Sequence, residues 1–229
     1  SGLGGGVVPD AFMILSRIIA SFHNDKGELL IEGLTPTEQD VFELSDEFVK
    51  SSLSSNGVEL FEMDSYSKRL WLEPALSILA IDAPPVAESV NLLIPKAKAK
   101  VSLRLPPTED PDHAMNMLEK HIKENTPFNA NVNFIPEAKG KGILVDPKNE
   151  FSSKLIESFN KNWENEVAYM GVGGSIPFAN VFINEFPNSE IVLVGAGDEE
   201  GNAHAPNESV NIDDIKRLIT SLTDALSNY

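Results

Sequence analysis

Residues 89–107 read SVNLLIPKAKAKVSLRLPP, and within them Ala97, Ala99, Val101, Leu103 and Leu105 alternate with Lys96, Lys98, Lys100, Ser102 and Arg104. A period of two predicts a β-strand with one buried and one polar face, because successive strand side chains point to opposite sides. Arg104 is expected on the polar face with the lysines. Pro106-Pro107 end the strand, since proline cannot donate to a ladder.

Working outward, residues 76–83, LSILAIDA, predict a second strand. Asp110-Pro111 start a helix running to about residue 125, with Ala114, Met115, Leu118 and Ile122 inward. Residues 131–135 alternate as a further strand, with Val132 and Phe134 on one side. Near the beginning, Asp10 follows Pro9 and caps a helix whose apolar side is Ala11, Ile14, Leu15, Ile18, Ile19 and Phe22. Asn24-Asp25-Lys26-Gly27 is turn chemistry, and a short strand is expected at 29–31. Thr35-Pro36-Thr37-Glu38 reads as a capped helix start, with Val41, Leu44 and Phe48 along one face. Residues 51–70 are serine-rich and expected to form an irregular surface connection. Residues 10–135 therefore predict an α+β unit, one antiparallel sheet with helices on one face.

Lys139-Gly140-Lys141-Gly142 is linker-like, and the pattern changes beyond it. Asp146-Pro147 open a helix with Phe151, Leu155, Phe159 and Trp163. A Gly-Gly-Ser turn follows, then a helix near 176–185. The apolar run at 191–194 predicts a strand buried on both faces. A last helix over 211–226 turns Ile215, Leu218, Ile219, Leu222 and Leu226 inward. Residues 143–229 thus read as part of a larger three-layer α/β domain.

Composition narrows the function classes. The 229 residues carry 18 Lys+Arg against 35 Asp+Glu, a net charge of −17 with histidine neutral, which disfavours nucleic acid as a partner. The apolar runs are too short to span a membrane, and SGLGGGVVPD lacks the n- and h-regions of a signal peptide. The absence of cysteine excludes disulfides, thiolate nucleophiles and cysteine zinc sites, and agrees with a reducing, cytoplasmic setting. Any metal would be held by His, Asp and Glu, the ligand set of catalytic zinc.

Of the histidines, His23 reads as a solvated helix cap, and His113 and His121 as surface residues of a charged helix. His204 stands apart, in the acidic, glycine-containing loop Asp198-Glu199-Glu200-Gly201-Asn202-Ala203-His204-Ala205-Pro206-Asn207-Glu208 after an apolar run. Small neighbours and Pro206 give the close approach and rigidity that a metal ligand needs. Gly171-Val172-Gly173-Gly174-Ser175-Ile176-Pro177 suits either of two roles. It is an anion-binding helix start, or a plain turn whose Ser175 caps the helix. Arg104 could clamp a carboxylate bidentately.

Taken together, SGLGGGVVPDAFMILSRIIASFHNDKGELLIEG, SVNLLIPKAKAKVSLRLPP, VGGSIPFANVF and NAHAPNE occur in the order of four motifs of a known family. The chain resembles the dinuclear zinc peptidases that include carnosinase-type dipeptidases, aminoacylase and succinyl-diaminopimelate desuccinylase. It is most similar to the dipeptidase branch. The resemblance implies a zinc domain interrupted by a lid that also dimerises, with residues 1–138 as the lid and 139–229 as the C-terminal segment of the zinc domain. It implies that Arg104 holds the substrate's carboxylate, that Asn91 lies in the lid loop near the substrate, and that Gly173, Gly174 and Ser175 bind the substrate's C-terminal end. His204 matches the last zinc ligand.

The resemblance further implies two zinc ions per active site, dipeptide or N-acyl amino acid substrates, and a homodimer through the lid. The family's remaining metal ligands and its general base belong upstream of the lid. The chain is therefore expected to be a C-terminal portion, inactive alone. Gly171-Val172 stand where many members of the dipeptidase branch have Arg-Glu. The alternative expectation is a non-catalytic dimerisation or substrate-binding module.

Overall fold

The structure is a computed structural model that describes residues 2–53, 57–144, 146–172, 177–186, 188–198, 201–203 and 205–229. The chain divides into two compact units, Ser1–Gly142 with Met170–Ser175, and Ile143–Tyr169 with Ile176–Tyr229.

In the first unit, helix α1 (Ala11–Ala20) begins where the Asp10 carboxylate accepts the Met13 N–H at 2.9 Å. Strands β1 (Ala75–Asp82) and β2 (Lys98–Arg104) pair antiparallel, from Ala75 opposite Arg104 to Asp82 opposite Lys98, with a bulge between Ile78 and Ala80. Helix α4 (Pro111–Glu124) has proline in its first turn and is capped by Asp110, which accepts from the backbone N–H of Asp112 and His113.

The α+β expectation holds: α1 and the turn after it bring Ile18 and Phe22, and α4 brings Leu118 and Ile122, against Leu76 and Ile31. Ile78, Val101 and Leu103 pack on that cluster from the sheet. A two-stranded sheet is marginal by itself in water, so this apolar contact is what sustains it. Each such side chain contributes about 1.5–3 kcal/mol on full burial.

Several elements differ from the sequence-based expectations. The strand expected at 29–31 is one bridge, His23 to Leu29, closing a small hairpin. Residues 131–135 run outside any strand, although Phe134 packs on the core. The helix expected from residue 35 starts later, as α2 (Asp46–Leu53), where Ser45 accepts the Phe48 N–H through its hydroxyl and the Val49 N–H through its carbonyl. The preceding backbone is committed elsewhere: Thr37 N–H donates to the Leu72 carbonyl at 2.8 Å, and Leu44 N–H to the Ser67 hydroxyl at 2.8 Å. Conversely, residues 51–70, expected to be irregular, contain part of helix α3 (Tyr66–Trp71).

His121 is a correction. It is only 9% exposed, stacks on Phe22 with ring centroids 5.5 Å apart, and its Nε2 lies 3.1 Å from the Ser21 hydroxyl.

The second unit is built on α5 (Glu150–Asn162) and α7 (Ile212–Ser227), packed through the buried small residues Ser158, Ser221 and Ala225. The Ser158 hydroxyl donates to the Ser221 carbonyl at 2.9 Å, and Trp163 Nε1 donates to the Ser221 hydroxyl at 3.2 Å. Glu190 caps α5 from a distance in sequence: its carboxylate accepts the Phe151 and Ser152 N–H groups and the Ser152 hydroxyl. Desolvation raises the Glu190 carboxyl, but these hydrogen bonds outweigh it, so its net pKa is lowered. Helix α6 (Pro177–Glu185) carries Phe178 and Phe182 on its exposed side. Residues 191–194 lie outside any strand, with Leu193 and Val194 exposed.

The core of the first unit makes a direct prediction. Leu118→Ala, which deletes a side chain from the centre of the α4–sheet contact, should lower unfolding free energy by about 2–5 kcal/mol in urea titrations of the chain. A loss within experimental error would show that the contact does not hold the sheet.

Candidate functional site

Helix α3 is short, yet it is fixed from several sides. The Ser65 hydroxyl accepts the Lys68 N–H at 3.1 Å, capping its start. Ser67 is fully buried beneath residue 44, and the Leu72 carbonyl past its end takes the Thr37 N–H. The Thr37 hydroxyl in turn lies 2.7 Å from the Thr108 hydroxyl, beyond β2. Strand β1 begins at Ala75, whose partner in the ladder is Arg104. The end of α3 and the end of β2 are therefore held side by side.

Arg104 sits in that corner. It is half-buried, whereas Lys98 and Lys100 of the same strand are exposed. Its Nη2 donates to the Arg69 carbonyl at 3.3 Å. Among the described residues no carboxylate forms an ion pair with it. Burial first, and then the charge of Arg69, push its pKa down from the ordinary guanidinium value. A guanidinium remains protonated under such shifts. It presents five N–H donors in a planar fork suited to a carboxylate.

Arg69 is differently placed. Its Nη1 pairs with Glu73 at 2.9 Å, and its Nη2 donates to the Gly27 carbonyl at 2.5 Å. Gly27 has φ +75, and a Cβ there would collide with the Phe61 ring, so the turn accepts glycine alone without rearrangement. His23 stands at the other end of this hairpin. Burial, and then Arg69, push its imidazole below the ordinary value of 6.5, favouring the neutral ring. Arg69 and Arg104 against Glu73, with His23 neutral, leave the corner with one net positive charge in a chain of net charge −17.

Asn91 lies exposed in a bend after the single turn Val86–Glu88. Gly173, Gly174, Ser175 and His204 lie outside the described residues. The segment leading into the glycine turn is described as far as Val172. A Cβ on Gly171 would collide with the Trp71 side chain, so this backbone runs against the last residue of α3. Among the described residues, no group of three or more His, Asp or Glu could hold a metal ion. These residues do not by themselves fit a catalytic zinc, which takes about three protein ligands. Among the described residues, no helix is long and apolar enough to cross a membrane.

Sequence reasoning did not single out Arg69 and Glu73. The available signal was Ser65 followed by Lys68-Arg69-Leu70-Trp71, a capped turn too short for a periodicity argument.

The fold is that of an M20 peptidase domain. The structure matches the yeast di-peptidase Dug1p (Saccharomyces cerevisiae) with TM-score 0.74 and 22% identity, over 99% of this chain and 50% of that one. It matches human carnosine dipeptidase 1 with TM-score 0.68 and 18% identity, over 100% and 52%. Residues 1–130 match the M20 peptidase dimerisation domain, and the chain belongs to that family. In sequence it is 28% identical to a cysteinylglycine-S-conjugate dipeptidase of Corynebacterium striatum, over 100% of this chain and 51% of that protein. It is 25% identical to the Cys-Gly metallodipeptidase DUG1 of Saccharomyces cerevisiae, over 100% and 50%. The chain thus spans about half the length of these relatives.

The electrostatics of the corner are testable. By NMR, His23 should titrate below 6.5, and Arg69→Met should bring it part of the way back, because the desolvation remains. The sign for stability follows. Between the folded-state value and 6.5 the unfolded chain binds more protons, so this group's contribution is complete above 6.5 and declines as pH falls through that window. A His23 pKa at or above 6.5 would contradict the arrangement.

Proposed function

We propose that this chain is the carboxylate-binding and dimerising portion of a zinc-dependent dipeptidase, one that cleaves the amide bond of dipeptides or N-acyl amino acids. The observation that carries this reading is Arg104. A half-buried guanidinium without a carboxylate partner among the described residues is costly to hold, and the cost falls when an anion binds. The free carboxylate of a dipeptide has the charge and planar shape for it. The names of the relatives, two of them Cys-Gly or cysteinylglycine-conjugate dipeptidases, support the same substrate class.

In this reading residues 1–138 form the lid and 139–229 the end of the zinc domain. Arg104 binds the substrate carboxylate, Asn91 lies near the substrate, and Gly173, Gly174 and Ser175 take the substrate's C-terminal end. His204 is one ligand of a two-zinc site. Bound zinc would supply an activated water and polarise the scissile carbonyl. The other ligands and the general base lie in the rest of a longer protein, so this chain alone is inactive. The span of about half the relatives' length supports that division. Absence of cysteine fits a cytoplasmic enzyme.

The lid also serves as a homodimer interface. Its support is the match to a dimerisation domain, together with Leu79 and Ile81 on β1, which are 58% and 47% exposed. Exposed apolar residues on a sheet are natural points of association between copies. Sedimentation of the chain should give a dimer that Ile81→Lys weakens, and a strict monomer at high concentration would refute this part.

The activity is tested on the full-length protein with Cys-Gly and its C-terminal amide. Hydrolysis of Cys-Gly should vanish with chelator. Arg104→Met should raise KM for Cys-Gly about 10- to 100-fold, the loss of a charge-assisted hydrogen-bonded pair. It should also erase the preference for the free acid over the amide. Chelator-resistant hydrolysis, or an unchanged preference in Arg104→Met, would overturn the proposal.

A further inference from the structure

Arg104 has no carboxylate of its own among the described residues, so something else must keep its guanidinium from swinging into solvent. Among the described residues its guanidinium donates to the carbonyl of Arg69, a residue whose own side chain is doubly tied. Nη2 of Arg69 reaches across to the hairpin at Gly27, and Nη1 reaches one turn forward to Glu73. The Arg69 and Glu73 side chains are 24% and 31% exposed, so this pair is far less solvated than the protein's surface ion pairs, such as Lys98–Asp82 at 78% and 76%. Two cations placed together would repel, yet Glu73 offsets one of them.

We propose that Arg69, held by Glu73 and the Gly27 carbonyl, is the positioning residue that aims Arg104 at a singly charged carboxylate. This deepens the carboxylate reading above and rests on it. The fork of Arg69 fixes the backbone at the end of α3, and that backbone carbonyl seats Arg104. Glu73 cancels the charge of Arg69, so the corner offers one positive charge to its ligand. A lysine at 69 would keep the charge but has no planar fork to reach Glu73 and Gly27 together.

The test uses the full-length protein, Cys-Gly and its amide, and four variants: Arg104→Met, Arg69→Met, Arg69→Lys and Glu73→Gln. Positioning predicts that Arg69→Met and Arg69→Lys both raise KM for the free acid at least fivefold, with kcat within about twofold. The preference for acid over amide should fall by a similar factor. Glu73→Gln separates positioning from simple charge. Removing a negative charge would strengthen carboxylate binding if Arg69 acted only through its field, whereas loss of the tether weakens it; the expected result is a raised KM.

Should Arg69→Met fail to fold, as judged by circular dichroism, Arg69→Lys and Glu73→Gln carry the same test. Wild-type behaviour of Arg69→Lys, or a lowered KM in Glu73→Gln, overturns the inference. So does a fall in kcat equal to the rise in KM. If Arg104→Met itself keeps the acid preference, the carboxylate reading fails first. If Arg104→Met loses the preference and Arg69→Lys keeps it, the positioning inference alone falls.

Discussion

The rung that pairs Ala75 with Arg104 governs the geometry of the first unit. It joins the first residue of β1 to the last of β2, and so places an arginine beside the helix that leads into β1. A slip of one residue would turn every side chain of β2 to the opposite face, burying the lysines and exposing Val101 and Leu103. The apolar contact of α1 and α4 with the sheet forbids that slip. The core thereby fixes the register, and the register fixes where a desolvated charge can stand. Taking a charge partly out of water is unfavourable if nothing compensates it. The position therefore persists through the surrounding packing rather than through any preference of arginine for the site.

Net acidity does not forbid a local positive corner. Exposed charges more than about 8 Å apart are largely screened at physiological ionic strength. The corner containing Arg69, Arg104 and Glu73 is half-buried, and interactions there are screened far less. Local arrangement thus dominates over net charge. His23 follows the same rule from the other side: facing Arg69 and partly desolvated, it is favoured neutral and does not add a competing charge.

The parts of the fold legible in the sequence were those with long periodicity. β2, α1 and α4 each carry enough repeats for one face to stand out, and the caps of α1, α4 and α7 at Asp10, Asp110 and Asn211 bind the N–H groups that capping chemistry demands. The face of α7 differs from the expected one: Ile219 and Leu226, expected inward, are exposed, and Ser221 and Ala225 are buried. α3, only six residues long, gave no periodic signal, and the arginine that seats Arg104 went unseen with it. The segment before α2 has good helix-start chemistry, but its backbone groups are taken by Leu72 and Ser67, contacts distant in sequence. His121 was legible in principle. It falls at the helical spacing of Ala114, Leu118 and Ile122, the buried stripe of α4, although its type and charged neighbours read as the polar side of the helix. Spacing outweighs type there because Ser21 supplies the hydrogen bond that lets an imidazole be buried.

Gly171 is under a local steric constraint. The dipeptidase branch that the sequence resembles often has Arg-Glu ahead of the Gly-Gly-Ser turn, where this chain has Gly171-Val172. Any side chain at 171 would enter the space filled by Trp71, so here the bulk comes from α3 and the turn segment gives way to it. Trp71 lies two residues beyond Arg69 on the same short helix. One six-residue element therefore sets both the seat of the arginine and the path of the backbone into the glycine turn. A side chain at 171 would have to displace Trp71, on the helix whose Arg69 carbonyl accepts from Arg104.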